Sequence, residues 1–343
     1  MARQLRPANP DDEFPHPLAP DKAPRCYSEN YLFCGFDGKV GFFTHMGRTP
    51  MDPMLWRGLV IIYLPNGKLL VTKDYGRRET RQGPGSNALR YVCNEPLQQW
   101  TLHYDGAARL VDRHDLLTGV LGDGPVEPLS FELKFETLGQ VWNFWEDLVA
   151  KGDPVGHLHH EGPGRISGTI RYAGQTIDFN GTGYRDHTVG VREMGGVLFT
   201  GWCHAEFPSG RTFGALQYRT RNRPTVNAAF VSDGKTLTPV ELIEGPGVQS
   251  PSGAPDRFVV RLKNGEKIEE IRGEIQHSAP LTWLHPYEIL LGCDWTKPYA
   301  LVSVEAPSRY WWDGEEGFGH CERACLVQEL TLTGVRLDTE PAK

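Results

Sequence analysis

Residues 181 to 193 read Gly181-Thr182-Gly183-Tyr184-Arg185-Asp186-His187-Thr188-Val189-Gly190-Val191-Arg192-Glu193, which sets a phenol, two guanidiniums, two carboxyls and an imidazole among glycines. Such groups supply a proton donor, a proton acceptor and cations for developing negative charge. Hydrating an alkene, or eliminating from an alcohol, needs a donor in an apolar pocket, where desolvation keeps a carboxyl protonated. A neighbouring Arg or His opposes that shift, so Asp186 reads equally as acid or as base. Strand alternation puts Thr182, Tyr184 and Asp186 on one face and Gly183, Arg185 and His187 on the other. Asp186 and His187 then share a pocket only if a bulge re-aims one of them. The competing reading is a structural ion pair at a strand end.

Glu29 and His45, from the first predicted hairpin, join Asp186, His187 and Arg192 as candidate acid–base residues. Tyr31, Trp56, Tyr184, Arg185, Trp202, His204 and Tyr218 are candidate substrate contacts. Trp56, Tyr63, Trp202, Tyr218, Trp283, Trp311 and Trp312 suit a flat or polyene-like ligand, although all-β proteins also fill their barrels with aromatics. His157-Leu158-His159-His160-Glu161 invites a metal reading, because His157 and His159 share a face of an extended segment. Zinc needs three protein ligands, and neither a His-Glu-x-x-His helix nor paired cysteines are present. Hydrogen-bonded or exposed histidines are therefore the default, and neither a metal nor a cofactor is expected. A Gly-x-Ser-x-Gly elbow, a Walker loop and a dinucleotide fingerprint are all missing from the sequence.

The surrounding chain reads as hairpins. Glu29 to Asp37 and Val40 to Met46 flank Asp37-Gly38, and Trp56 to Leu64 and Lys68 to Lys73 flank Pro65-Asn66-Gly67. Leu97 to Tyr104 and Ala107 to Asp112 flank Asp105-Gly106, and Arg165 to Tyr172 and Gln175 to Asn180 flank Ala173-Gly174. Further turns fall at Pro208-Ser209-Gly210, Asp233-Gly234 and Asn264-Gly265. Asp-Gly and Asn-Gly between apolar runs are strong hairpin signals. Phe131 to Glu136 alternates as a half-solvated strand should, whereas Val141, Phe144, Trp145 and Leu148 recur at helical spacing and predict one short helix over 141–150. The expected fold is all-β, with two consecutive antiparallel barrels. The expected division is an arm over 1–25, barrels over 26–190 and 191–335, and a tail over 336–343. The central stretch would lie at the junction, where ligand pockets concentrate.

With 343 residues and a net charge of -7, the chain has no basic run to mark a nucleic-acid partner. No segment approaches the roughly 20 apolar residues of a membrane span, and the first 25 lack a signal-peptide core. Seven scattered cysteines without a paired motif fit reduced thiols in a cytoplasmic protein. A homodimer is compatible with this reading.

The pattern Gly-x-Gly-x-Arg-Asp-His-x-x-Gly-x-Arg at Gly181 to Arg192 resembles a signature of the lipocalin-like, double-calycin superfamily related to carotenoid hydratases (hydroxyneurosporene synthases). So do Phe199 to Phe207, the Glu29 to Phe43 hairpin and Gly317 to Glu322, so the likeness spans roughly residues 25 to 335. The resemblance implies a pair of calycin barrels. It also implies a hydratase, a cyclase or isomerase, or a member with no assigned activity. The combined expectation is a cofactor-independent lyase for a small hydrophobic terpenoid or aromatic substrate. Hydration, dehydration or loss of formaldehyde from a phenolic substrate would use the same acid–base groups. The alternative is a non-catalytic carrier of an apolar ligand.

Overall fold

The computed structural model describes residues 8–17, 26–49, 52–121, 123–143, 158–192, 197–221, 225–247, 256–284 and 288–328. A short 3-10 turn, Pro10–Glu13, precedes the first strands: β1 (Tyr27–Phe36), β2 (Gly41–Thr49), β3 (Asp52–Tyr63), β4 (Lys68–Gly76) and β5 (Leu89–Glu95). Then follow β6 (Gln99–Asp112), helix α1 (Arg113–Thr118), β7 (Val126–Thr137), β8 (Trp142–Asn143), β9 (Leu158–Tyr172) and β10 (Gln175–Val191). The second series is β11 (Val197–Glu206), β12 (Thr212–Thr220), β13 (Val226–Ser232), β14 (Leu237–Glu244) and β15 (Arg257–Asn264). It ends with β16 (Lys267–Ile275), β17 (Ala279–Leu284), β18 (Glu288–Leu291), β19 (Leu301–Trp312) and β20 (Glu315–Leu326).

Each series closes into an eight-stranded antiparallel barrel. The first ring runs β10-β1-β2-β3-β4-β6-β7-β9 and closes by β9 pairing with β10. The second runs β16-β15-β14-β13-β12-β11-β20-β19 and closes by β16 pairing with β19. Eight strands enclose just enough space for side chains to fill. Phe33, Phe42, Trp56, Trp100 and Leu133 fill the first barrel, and Phe213, Val260, Ile271 and Tyr310 the second. A third apolar layer joins the outer faces of the two barrels through Leu32, Cys34, Phe43, Tyr63, Trp202 and Tyr218. The Tyr63 hydroxyl donates to the Glu305 carbonyl at 2.9 Å across this layer.

Two local expectations are corrected. Asp105-Gly106 is not a turn, because β6 runs unbroken through it and pairs with β7 from Gln99 to Arg109. β6 passes from β5 to β4 on its other edge, and the Tyr104 hydroxyl reaches over Gly106 to the Ala107 carbonyl at 2.8 Å. Helical spacing from Val141 does not start a helix there, because Trp142 and Asn143 pair with Glu161 and His160 on β9. Residues 144–150 lie outside the described residues. The one α-helix among the described residues is α1, where Asp115 accepts from the Asp112 amide at 3.0 Å. No helix among the described residues is long and apolar enough to cross a membrane.

Candidate active site between the barrels

The central stretch lies on β10, whose pairings with β1 and β9 run without a register shift from Gln175 to Val191. No bulge re-aims its side chains, so alternation decides the site. Asp186 turns outward towards the second barrel, and His187 turns into the first. The two groups belong to different environments.

His187 enters a polar cluster sealed inside the first barrel. It bonds Glu29 at 3.1 Å and stacks on Tyr31 with ring centroids 3.8 Å apart. Glu29 also pairs with Arg48, which lies over the Trp56 ring. Arg185 pairs with Glu13 at 2.8 Å, and His160 reaches the same carboxyl at 3.2 Å. Burial opposes ionisation of Glu13 and Glu29, yet these partners outweigh it and hold both carboxyls far below their ordinary range. Residues 10–16 cap this interior, since Glu13 also accepts from the Trp100 indole and the Leu97 amide. Thus Glu29, His187, Tyr31, Arg185 and Trp56 lie in a packed interior, apart from the groups that face the second barrel.

Those facing groups line a cleft between the barrels. β10 contributes Asp186, with Arg192 just past its end, β2 contributes His45 and β9 contributes His159 and Glu161. The second barrel supplies Trp202, Tyr218 and Glu322, and β17 supplies Trp283. Asp186 Oδ2 lies 2.7 Å from His159 Nε2, and Glu161 Oε1 lies 3.2 Å from the same nitrogen. The Tyr184 hydroxyl donates to Glu161 at 2.7 Å and the Trp202 indole at 3.3 Å. Tyr184 stacks on His204 with centroids 3.8 Å apart, so both support the cleft wall from behind.

The cleft separates its carboxyls by protonation state. Burial opposes the charge on Asp186, but His159 and then Arg192 outweigh it and hold this carboxyl below its ordinary range. Burial likewise opposes charge on His159, but Asp186 and Glu161 raise it to about 9. Glu322 goes the other way: burial and the Glu305 carboxyl behind it push it well above its ordinary range. Glu305 stands directly opposite Glu322 on the β19–β20 ladder, and burial raises it to about 8. Two carboxyls facing each other out of water cannot both ionise cheaply. His45 is pushed down to about 3 by burial and by Arg57, so it is neutral.

Three groups among the described residues bring potential metal ligands within 4.8 Å of one another. Two lie in the sealed interior, where Arg185 and Arg48 already neutralise Glu13 and Glu29. The third, His159, Glu161 and Asp186, opens on the cleft. His157 lies outside the described residues.

Asp186, Arg192, His45, Trp202 and Tyr218 are thus brought together in one cleft. Glu322 and Glu161 were missed as site residues. The available signal was a carboxyl inside a largely apolar run, Glu305 within Leu301 to Ala306, and none marked Glu322.

Two closed antiparallel β-barrels, with a cleft of titratable and aromatic side chains between them, define the architecture of this protein. The family model that matches residues 9–325 is described as domain of unknown function (DUF7064), and the chain belongs to that family. No functionally curated protein matches it in sequence. Among solved structures, CghA is 11% identical, with 95% of this chain and 94% of that one covered at a TM-score of 0.55. Kievitone hydratase from Nectria haematococca is 10% identical, with 87% and 88% covered at a TM-score of 0.54. A Nitrosomonas europaea protein provisionally described as AttH is 15% identical, with 93% and 98% covered at a TM-score of 0.52. At these identities the likeness is one of fold.

Proposed function

We propose that the protein is an acid–base lyase that adds water to, or eliminates it from, a hydrophobic terpenoid or aromatic substrate bound between the barrels. The observation that carries this reading is the split within one cleft, with Glu322 held protonated and Asp186 held ionised beside His159. Carboxyls pushed apart in this way mark acid and base roles. That a protein of the same fold is named kievitone hydratase supports the reaction class.

In the elimination direction Glu322 gives its proton to the leaving hydroxyl, the C–O bond breaks and water departs. The Asp186–His159 pair then takes a proton from the adjacent carbon as the double bond forms, and the pair releases that proton to solvent while solvent returns one to Glu322. Asp186 so stabilised is a weak base, which suits a carbon next to a developing cation. Trp202, Tyr218 and Trp283 offer ring faces to such a cation. Formaldehyde loss from a phenolic substrate would use the same donor and acceptor. The buried, unbridged cysteines are compatible with a cytoplasmic location.

Purified protein incubated with apolar alcohols, alkenes and phenolics, with products followed by mass spectrometry, tests the reading. Ligands that bind and return unchanged would make it a carrier. The His159, Glu161 and Asp186 grouping favours one second reading, a divalent cation in the cleft. Activity that survives exhaustive chelation supports the side-chain mechanism, and loss restored by zinc supports the cation.

A further inference from the structure

Beside Asp186 and Glu322 the cleft holds a cation with no ion-pair partner of its own among the described residues. Three other buried guanidiniums are matched by acids, Arg48 by Glu29, Arg185 by Glu13 and Arg57 by Glu288. Arg192 lines the cleft, its Nε is shielded from solvent, and its side chain has no hydrogen bond or ion pair among the described residues. Its main chain is fixed, since its amide donates to the Cys26 carbonyl at 2.8 Å. Asp186 feels the charge of Arg192, but its carboxyl is already taken by His159 at 2.7 Å and by the Thr188 hydroxyl at 3.2 Å.

A second group is similarly unused. His45 is 2% exposed, lines the same cleft, and its Nδ1 has no hydrogen-bond partner. Its ring is held edge-on to Trp283, with centroids 5.9 Å apart. Gly47 leaves the room for this arrangement, because a Cβ there would sit 2.5 Å from Asn30 Oδ1 and 2.9 Å from the His45 ring. Buried polar atoms ordinarily find partners, and the unpaired Arg192 Nε, His45 Nδ1 and Trp283 Nε1 on the cleft lining indicate a partner that arrives with the ligand.

We propose that the substrate carries a carboxylate, which Arg192 binds through its guanidinium fork with His45 donating alongside, while the apolar body lies against Trp202, Tyr218 and Trp283. A planar fork matches the two oxygens of a carboxylate, and charge-assisted bonds of this kind are strong where water is excluded. The ligand is then an amphiphile, an aromatic or polyene acid, anchored at one end and offered to Glu322 and Asp186 along its length. This inference rests on the cleft being the substrate site, but it does not depend on what reaction follows.

Calorimetric titration of the full-length protein with naphthalene-2-carboxylate, naphthalene-2-carboxamide and 2-naphthol tests it without turnover. The acid should bind about tenfold or more tighter than the amide, which has the same shape without the charge. Arg192→Gln should erase the preference while leaving amide affinity within about twofold, and Arg192→Lys should keep part of it. His45→Gln should weaken acid binding with an unchanged melting temperature. Equal affinity for acid and amide, no binding of the acid at millimolar concentration, or a preference that survives Arg192→Gln would overturn the proposal. So would tighter binding of 2-naphthol than of the acid, which would assign the wall to phenols. Loss of the lyase reading with the acid preference intact would leave a carrier of carboxylic acids.

Discussion

Asp186 Oδ2 approaches His159 Nε2 to 2.7 Å although the ladder pairs Asp186 with Glu161 and His159 with Thr188. The contact is a diagonal one across two antiparallel strands, and it places an imidazole between two carboxyls at the edge of an apolar cleft. The sign of its pH dependence follows. His159 is raised from 6.5 to about 9, so its stabilising contribution is complete below pH 6.5 and is lost as pH rises through 9. The melting temperature of the wild type should therefore fall over that window, and His159→Gln should flatten this part of the curve. An identical pH profile in the variant would show that His159 is not the titrating group.

Glu305 should contribute instability in the neighbouring window. It is raised from 4.5 to about 8, so the folded state holds a proton that the unfolded state has released, and stability falls as pH rises between those values. Glu305→Gln keeps a hydrogen-bonding group beside Ser303 and His320 and removes the penalty. Melting followed from pH 5 to 8 should show a variant that gains on the wild type as pH increases. A constant offset would mean that Glu305 does not titrate in this range.

Glu322→Gln should lower turnover by about 10²–10⁴-fold, the usual contribution of a positioned proton donor, without lowering the melting temperature, since it removes another buried carboxyl that penalises the fold as pH rises. Wild-type activity should fall as pH rises through the elevated Glu322 value, because the donor form is then lost. An alkaline limb that persists unchanged in Glu305→Gln would separate the two carboxyls and contradict their coupling.

Glu29→Gln separates the sealed interior from the cleft. Removing the carboxyl takes from Arg48 and His187 their shared buried acid and leaves Arg48 with Glu79 at 3.3 Å, so the cost should approach but not exceed the roughly 3–5 kcal/mol of a fully broken buried pair. Ligand affinity in the cleft should be unchanged in the fraction that remains folded. Chemical denaturation together with calorimetry reads both, and weaker binding without destabilisation would give Glu29 a role in the site.

The barrels were legible because their turns are chemically explicit: Asp37-Gly38, Asn66-Gly67 and Asn264-Gly265 each carry a glycine at positive φ between paired strands. Asp105-Gly106 misled because a turn dipeptide is a local signal, whereas pairing with β7 is long-range and decided the outcome. Alternation along β10 correctly put Asp186 and His187 on opposite faces, but which face meets a second barrel depends on closure and docking. Glu322 could not be paired with Asp186 in advance, since they meet only across the inter-barrel layer. Residues 10–16 read as a polar arm, and their insertion into the first barrel depends on Glu13 meeting Arg185 and His160.

Asp186→Asn tests the central claim most directly, with turnover and melting measured on the same preparation. The amide keeps the shape and loses the proton acceptor, while Glu161 still faces His159 at 3.2 Å. Turnover should fall by about 10²–10⁴-fold. The stability loss should stay below the roughly 3–5 kcal/mol of a fully stranded buried charge. A variant that melts normally and retains full activity would contradict the account by removing Asp186 from the chemistry.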